Sequence, residues 1–589
     1  MKTNTLIKTI IVAFAFLTLS CGQDFLNVKP KGALSVSQIS DQKGVETLLV
    51  AAYSMIDQAA QDVPSNGTNG FTSNGASNWV FGGITGGDAH KGTDEGDQPD
   101  INPIERYESS SVNGYFNTKW GVIYEGVNRC NTVLKVLATA TGISAADVTR
   151  ITGEARGLRG HYHFEAIKMF GQIPYVDETV ADPAKVVNTV NAYPMIEADL
   201  SFAAANLPAT MSQVGRINTW IAKAMLAKAY MYQGKYAAAM PVLLDVYTNG
   251  KNPLGVAFGL NLTYHANFFI PSKNSRESIF AAQSSVNDGG GPFNGNTGDV
   301  LNFPYLSGGS PAGCCGFYQP SFEFANSFRT TAAGIPMLNG SYNLAANALK
   351  TDYNIESNVP PAADTYVPDA GNIDPRLDWT MGRRGVPFLD WGLHLGKSWT
   401  RKQAYGGPYS PKKNAYYKSQ SGSLTDKSSW TEGWTAQNVN IIRYADIILW
   451  LAECEVETGS LPNAMNYVNL IRARAANPAG FVKNLAGTAP AANYVVGLYT
   501  AADFSTQANA RLAVHFERKL EFGMEGHRFF DLVRWNEAQT TLTAYLAYES
   551  TILLQLKGAT FDAMDKVFPV PQRQIDLSGT DILKQNAGY

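Results

Sequence analysis

Apolar and small residues recur every three to four positions through much of the first and last parts of this chain. In EARGLRGHYHFEAIKMFG, Leu158, Tyr162, Ala166 and Met169 share one helical face, and Gly171 and Pro174 stop the pattern. WGVIYEGVNRCNTVLKVL repeats that spacing through Trp120, Tyr124, Val127 and Leu134. Two further stretches match each other. In LAKAYMYQGKYAAAMPVL, Ala227 is followed by Tyr230, Gly234, Ala239 and Leu243; in LAECEVETGSLPNAMNYV, the same offsets bring Ala452, Gly459, Ala464 and Val468. This is the tetratricopeptide pattern without its leading Trp. Small residues let the two helices of a hairpin approach closely, and the intervening Gly ends the first helix. The pattern predicts a mainly α fold, with a tetratricopeptide-like scaffold of helical hairpins over about 35–255 and 438–589.

Two regions break the helical period. Residues 65–118 form a loop-rich insert, most irregular in SNGTNGFTSNGASNWVFGGITGGDAHKGTDEGDQPD, and about 256–437 is a large lobe rich in Gly, Pro, Asn, Ser and Tyr. Long loops in a compact protein tend to carry function, so the ligand-binding part is expected in this irregular lobe and insert.

At 589 residues the chain can bury a sizeable core, and 45% of it is hydrophobic. A net charge of −3 offers no match to a polyanion, so nucleic acid is excluded as a partner. Residues 1–20 read as a lipoprotein signal peptide: Lys2 and Lys8 precede the apolar run IIVAFAFLTLS, which is too short to span a bilayer, and Cys21 follows at once. Thr18-Leu19-Ser20 has Thr where an aliphatic residue is more usual in a lipobox. The expectation is lipid attachment at Cys21, with 21–589 as a single domain. Cys130 and Cys454 fall in helical patterns as small core residues. Cys314 and Cys315 are adjacent, and an oxidising envelope permits a vicinal disulfide there; two free thiols are the alternative. No cysteine spacing suits a metal.

FERKLEFGMEGHRFFDLVRW, residues 516–535, concentrates ionisable groups as an active site does. Yet Glu517, Glu521 and Glu525 are four apart, and Arg528, Asp531 and Arg534 three apart, which is the spacing of salt-bridged helix ends. His527 has no Ser, Cys or second His near it in sequence for a triad or a metal. The segment reads as structural.

Several motifs occur in order along the mature chain: CGQDFLNVKPKG, WGVIYEGVNRCN, EARGLRGHYHFEAIKMFGQIPYV, DPRLDWT, NIIRYADIILWLAEC with NLIRARA, the 516–535 segment, and FPVPQRQI with KQNAGY. Together they resemble the SusD/RagB family of outer-membrane nutrient-binding lipoproteins. The resemblance implies a helical scaffold bearing a variable ligand-binding lobe. It implies anchoring to outer-membrane lipid through acylated Cys21, facing the cell exterior, and a SusC-like TonB-dependent barrel as partner. Its ligand would be an oligosaccharide or, less often, a peptide. It implies no catalytic activity and no cofactor.

A sugar is bound by rings stacked on its C–H faces and by planar polar groups at its hydroxyl rim. That search nominates Asn78, Trp79, Phe81 and Asp88 in the insert. In the lobe it nominates Tyr305, Phe317, Tyr318, Trp391 and Trp434, with Cys314–Cys315 as a flat apolar surface if bonded. Trp399, Tyr405 and Trp430 are further lobe aromatics, several of which must pack the lobe. Asp88, Asp94, Glu95, Asp97 and Asp100 leave a structural calcium open, against a solvated acidic loop. The competing functions are a peptide- or glycopeptide-binding member of the same uptake system, an exported glycoside hydrolase with paired carboxylates, and a pure interaction scaffold.

Overall fold

The computed structural model describes residues 39–57, 73–306, 309–355 and 364–589. Cys21, the signal segment and residues 65–72 of the insert lie outside these residues. Among the described residues, six helices of twelve residues or more form the first part: α1 (Gln42–Tyr53), α2 (Gly114–Leu137), α3 (Ala145–Phe170), α4 (Tyr193–Asn206), α5 (Thr219–Met231) and α6 (Tyr236–Asn249). The last part holds α7 (Tyr444–Thr458), α8 (Leu461–Ala475), α9 (Gln507–Phe522), α10 (Arg528–Arg534), α11 (Ala538–Glu549) and α12 (Gln572–Ser578). Neighbours in sequence pack side by side from α2 to α8, and α9 closes on α7 and α8. The fold is mainly α.

The helix starts are readable in the sequence. Asn113, Ser144, Asn218 and Thr506 each accept a hydrogen bond from a backbone N–H of the first turn that follows. The hairpins α5–α6 and α7–α8 carry the repeat, with Ala227, Ala239, Ala452 and Ala464 wholly buried between helices. Gly234 turns the first hairpin at φ +65°, in the left-handed region that glycine enters without strain. Cys130 and Cys454 are buried as small core residues. Among the described residues no helix is long and apolar enough to cross a membrane.

Short antiparallel strand pairs tie the irregular regions in. In the insert, β1 (Ala89–Gly92) pairs with β3 (Phe317–Pro320) of the lobe, placing His90 opposite Gln319. Strand β2 (Ser278–Ala282) pairs with β6 (Val439–Arg443), which runs directly into α7; β4 (Met381–Gly382) pairs with β5 (Ser410–Pro411) inside the lobe. One apolar core extends from Val45 to Leu583 and takes in insert, lobe and scaffold alike.

The insert corrects an expectation. From Ser73 to Thr93 it is buried almost throughout, with a π-helical turn at Trp79–Ile84 followed by β1. Its glycines are there for close approach and not for flexibility. A Cβ on Gly82 would collide with Gly526 O, and one on Gly83 with the Tyr318 hydroxyl.

The ionic segment 516–535 is structural, but its partners are distant in sequence. Glu521 meets Arg376 of the lobe (3.2 Å), Arg443 at the end of β6 (2.9 Å) and Arg474 of α8. Glu517 meets Arg376 (2.7 Å) and Arg472 (2.9 Å). Arg518 meets Asp446 and Asp531, Lys519 meets Glu323, and Arg534 meets Glu453. Only Asp531–Arg534 is a pair at helical spacing within the segment. Burial alone would raise the Glu521 carboxyl, and the three guanidiniums outweigh it and hold the group below the usual carboxylate range.

A second buried charge group fixes the insert. His90 Nδ1 lies 3.1 Å from Glu105 and Nε2 3.0 Å from Glu549 of α11. Burial opposes the imidazolium, but its hydrogen bonds to the two carboxylates prevail and push the group up to about 9.

Two outcomes follow from these networks. Glu521→Ala leaves three buried arginines short of counter-charge and should cost about 3–5 kcal/mol in urea unfolding. Lys185→Ala, which removes the exposed pair with Asp182, should cost under about 1 kcal/mol; equal losses would deny the buried network its role. For His90 the folded value lies above the ordinary value of about 6.5. Its stabilisation is therefore complete below pH ~6.5 and lost as pH rises towards 9. The melting temperature of the wild type should fall more steeply across that window than that of His90→Gln; parallel curves would contradict the charged assignment.

Candidate functional site

Insert, lobe and scaffold meet at one cleft lined by many polar residues. Ser77 precedes the π-helical turn; Asn296, Asp299, Lys413 and Asn414 come from the lobe; Gln437 to Asn440 lead into and along β6; Met524 and Glu525 follow α9; and Phe268 forms the floor. The cavity itself measures about 50 Å³, so a larger ligand would lie across its mouth.

Side-chain amides dominate this lining, and their hydrogen bonds hold them in place. Asn414 donates to Asn302 O (2.6 Å), Asn440 donates to Asn267 O (3.3 Å) and accepts from Ser278 Oγ (2.9 Å), and Asn438 accepts from Ser284 N (3.0 Å). Gln437 donates to Lys413 O (2.8 Å), while its Oε1 is buried with no partner.

Two carboxylates line the cleft in unlike environments. Asp299 accepts from Ser77 Oγ (2.7 Å), Asn296 Nδ2 (3.0 Å) and Asn302 Nδ2 (3.2 Å), all neutral donors. Burial raises its pKa, and those hydrogen bonds recover only part of the shift. Glu525 is held by Arg443 (2.9 Å) and Lys413 (2.7 Å), and these cations outweigh burial and lower it. Burial pushes Lys413 down to about 8, against the pull of Glu525.

Exposed aromatic residues are linked to the cleft through Trp434 and the Gly295–Asn296 turn. Of the ten tryptophans, all within the described residues, only Trp430 is exposed, at 58%. Its ring meets that of Trp434 edge-on at 5.2 Å, and a Cβ on Gly295 would lie 3.1 Å from the Cβ of Trp434. Asn296, next in sequence, donates its N–H to Thr435 O (2.9 Å), and Phe293 is also exposed.

Most residues nominated from the sequence are placed behind this surface. Trp79 is buried between Phe317 and Tyr318, themselves buried, and donates Nε1 to Gly298 O (2.9 Å). It therefore holds the loop of Asp299 and offers no face to a ligand. Phe81 packs into the core against Phe116 and Phe568. Asn78 is buried and donates to Glu165 (3.3 Å). Asp88 is wholly buried, pushed up to about 7 by that burial, and accepts from Met524 N (2.9 Å). It ties down the bend that carries Glu525. Trp434 is buried under Trp430. Trp391 is half-buried, its Nε1 donating to Tyr416 O (2.9 Å) within the lobe. Tyr305 is exposed but lies under Arg401, outside the cleft lining. Cys314 and Cys315 form a vicinal disulfide, packed against the core and also outside that lining.

The acidic loop is solvent-exposed at Glu95 and part-exposed at Asp94, Asp97 and Asp100, as expected of a solvated loop, but the charges of Asp94, Glu95 and Asp97 are paired. Asp94 and Asp97 pair with Arg401 (2.8 and 2.7 Å), and Glu95 pairs with Lys402. These pairs use the carboxylates a calcium ion would need. Among the described residues no group of His, Cys, Asp or Glu is arranged to hold a metal.

A larger cavity of about 330 Å³ lies beyond α1, bounded by Val50, Tyr53, Ile56, Arg216, Ala281 and Gln283. It is mostly apolar, and its Tyr53 and Arg216 groups are already paired with Glu154. The amide cleft has the better recognition chemistry. Sequence reading missed its amides, although the run TAQNVN before a helix was a usable signal, and it passed over Trp430 for its neighbour Trp434.

Known proteins share this architecture. The sequence profile described as "SusD family" matches residues 276–589, and one described as "Starch-binding associating with outer membrane" matches residues 24–231. The chain is 23% identical to "SusD-like protein P25" of Formosa agariphila over 430 residues, 71% of this chain and 69% of that one. A solved SusD superfamily protein from Bacteroides vulgatus aligns over 94% of this chain and 100% of its own, at 20% identity and a TM-score of 0.66. Surface glycan-binding protein A from Bacteroides thetaiotaomicron, solved with laminarihexaose, aligns over 93% and 99%, at 19% identity and a TM-score of 0.63. With more than half its length matched by the family profile, this chain belongs to the SusD family.

Proposed function

We propose that this protein is a surface-exposed, lipid-anchored glycan-binding protein of the outer membrane that hands oligosaccharides to a SusC-like TonB-dependent barrel. The observation that carries the reading is the amide-lined cleft, linked through Asn296, Gly295 and Trp434 to the one exposed tryptophan, Trp430. Amide and carboxylate acceptors suit a hydroxyl rim, and an indole face suits the C–H face of a sugar ring. The structural relative solved with laminarihexaose supports the same reading.

One feature favours a second reading, an exported hydrolase: two carboxylates in one cleft with oppositely displaced pKa values. Their contacts argue against it. Both Asp299 oxygens are taken by neutral donors, and both Glu525 oxygens by cations. Neither is free to protonate a glycosidic oxygen or to attack an anomeric carbon.

The test is retardation of residues 22–589 in native gels containing laminarin, starch, pectin or cellulose derivatives. One polymer class should retard the protein without release of reducing ends. Trp430→Ala and Gln437→Ala should each weaken that binding by about 1 kcal/mol, roughly fivefold; Trp430→Ala should leave the melting temperature unchanged, and Gln437→Ala should lower it by orphaning Lys413 O. Release of reducing ends would favour the hydrolase, and full binding by both variants would move the site elsewhere.

A further inference from the structure

We propose that the cleft selects neutral glycans and excludes sugar units bearing carboxylate or sulfate, an inference that rests on the glycan-binding reading above. The charge of the lining sets this preference. Its ionisable groups are Asp299, Glu525 and Lys413. Lys413, the one cation among the described lining residues, is already committed to Glu525 Oε1 (2.7 Å) and Glu521 O (3.3 Å). Lys273, further along the same segment, does not line the cleft and donates to the carbonyls of Ser284 (2.7 Å) and Ala436 (3.1 Å).

Asp299 has no counter-ion. Its oxygens are held by Ser77, Asn296 and Asn302, so its negative charge is solvated by dipoles alone. The unpaired atom in the cleft wall, the buried Gln437 Oε1, is an acceptor as well. The cleft therefore presents acceptors and uncompensated negative charge. Hydroxyl donors fit such a surface. An anionic substituent would face like charge in a partly desolvated setting, and no free cation there would repay its lost hydration. Two unit charges about 8 Å apart at an effective dielectric constant of about 20 repel enough to weaken binding more than tenfold.

The experiment compares wild-type binding to laminarin, starch and cellulose carried as hydroxyethyl and as carboxymethyl derivatives. The hydroxyethyl group matches the bulk of the charged one. At about 10 mM NaCl the hydroxyethyl form of the recognised backbone should bind at least about tenfold tighter. At about 500 mM NaCl screening should narrow that gap. Asp299→Asn should narrow it further, read as the ratio of hydroxyethyl to carboxymethyl affinity whatever the variant does to neutral binding, and the salt comparison needs no variant should that one fail to fold. Carboxymethyl forms bound equally or better would overturn the inference and leave the glycan reading standing, as would a gap indifferent to salt. Failure to bind any of the polymers would overturn both.

Discussion

Glu521 sits among three arginines drawn from three separate parts of the chain: Arg376 from the lobe, Arg443 from the end of β6 and Arg474 from α8. All four side chains are buried, so none can be satisfied by water if another is displaced. The cost of burying those charges is recovered only when every partner is in place. Lobe, strand and scaffold must therefore dock together, and in one register. A hydrophobic contact of the same size would tolerate small slips; a shared carboxylate with directional hydrogen bonds does not.

The cleft inherits this rigidity. Arg443 binds Glu525 as well as Glu521, and Lys413 joins Glu525 to the backbone of Glu521, so one wall of the cleft is a direct extension of the network. The opposite wall is fixed by Trp79 at Gly298 and by Ser77 at Asp299. Amides held by such contacts need not be ordered by a ligand, which removes part of the entropic cost of binding. Trp430 alone among the tryptophans remains outside the packing.

The insert shows how composition can mislead. A run with glycines at 75, 82, 83, 86 and 87 has the composition of a mobile surface loop. Its glycines instead let backbone (at Gly75, Gly82 and Gly86) and the rings of Tyr318 and Tyr545 (at Gly83 and Gly87) lie close against it, and the aromatic residues between them are turned inward. Trp79 and Asp88, nominated as ligand contacts, act by holding the loops on which Asp299 and Glu525 stand. Sequence proximity to the cleft was legible there, but the direction of each side chain was not.

What the sequence determined by itself is what depends on local spacing. Helical faces such as Leu158–Tyr162–Ala166–Met169, the small residues of the two hairpins and the Asn, Ser and Thr caps each act over a turn or two, and all appear in the fold. The structural role of 516–535 was inferred from helical spacing, but only Asp531–Arg534 pairs that way. Only the tertiary structure decided which distant residues those charges would meet, since Arg376, Arg443 and Arg474 lie between 47 and 145 positions from Glu521. It likewise decided which aromatics face solvent. Burial is a property of the assembled core, and no spacing rule separates Trp430 from Trp434 four residues away.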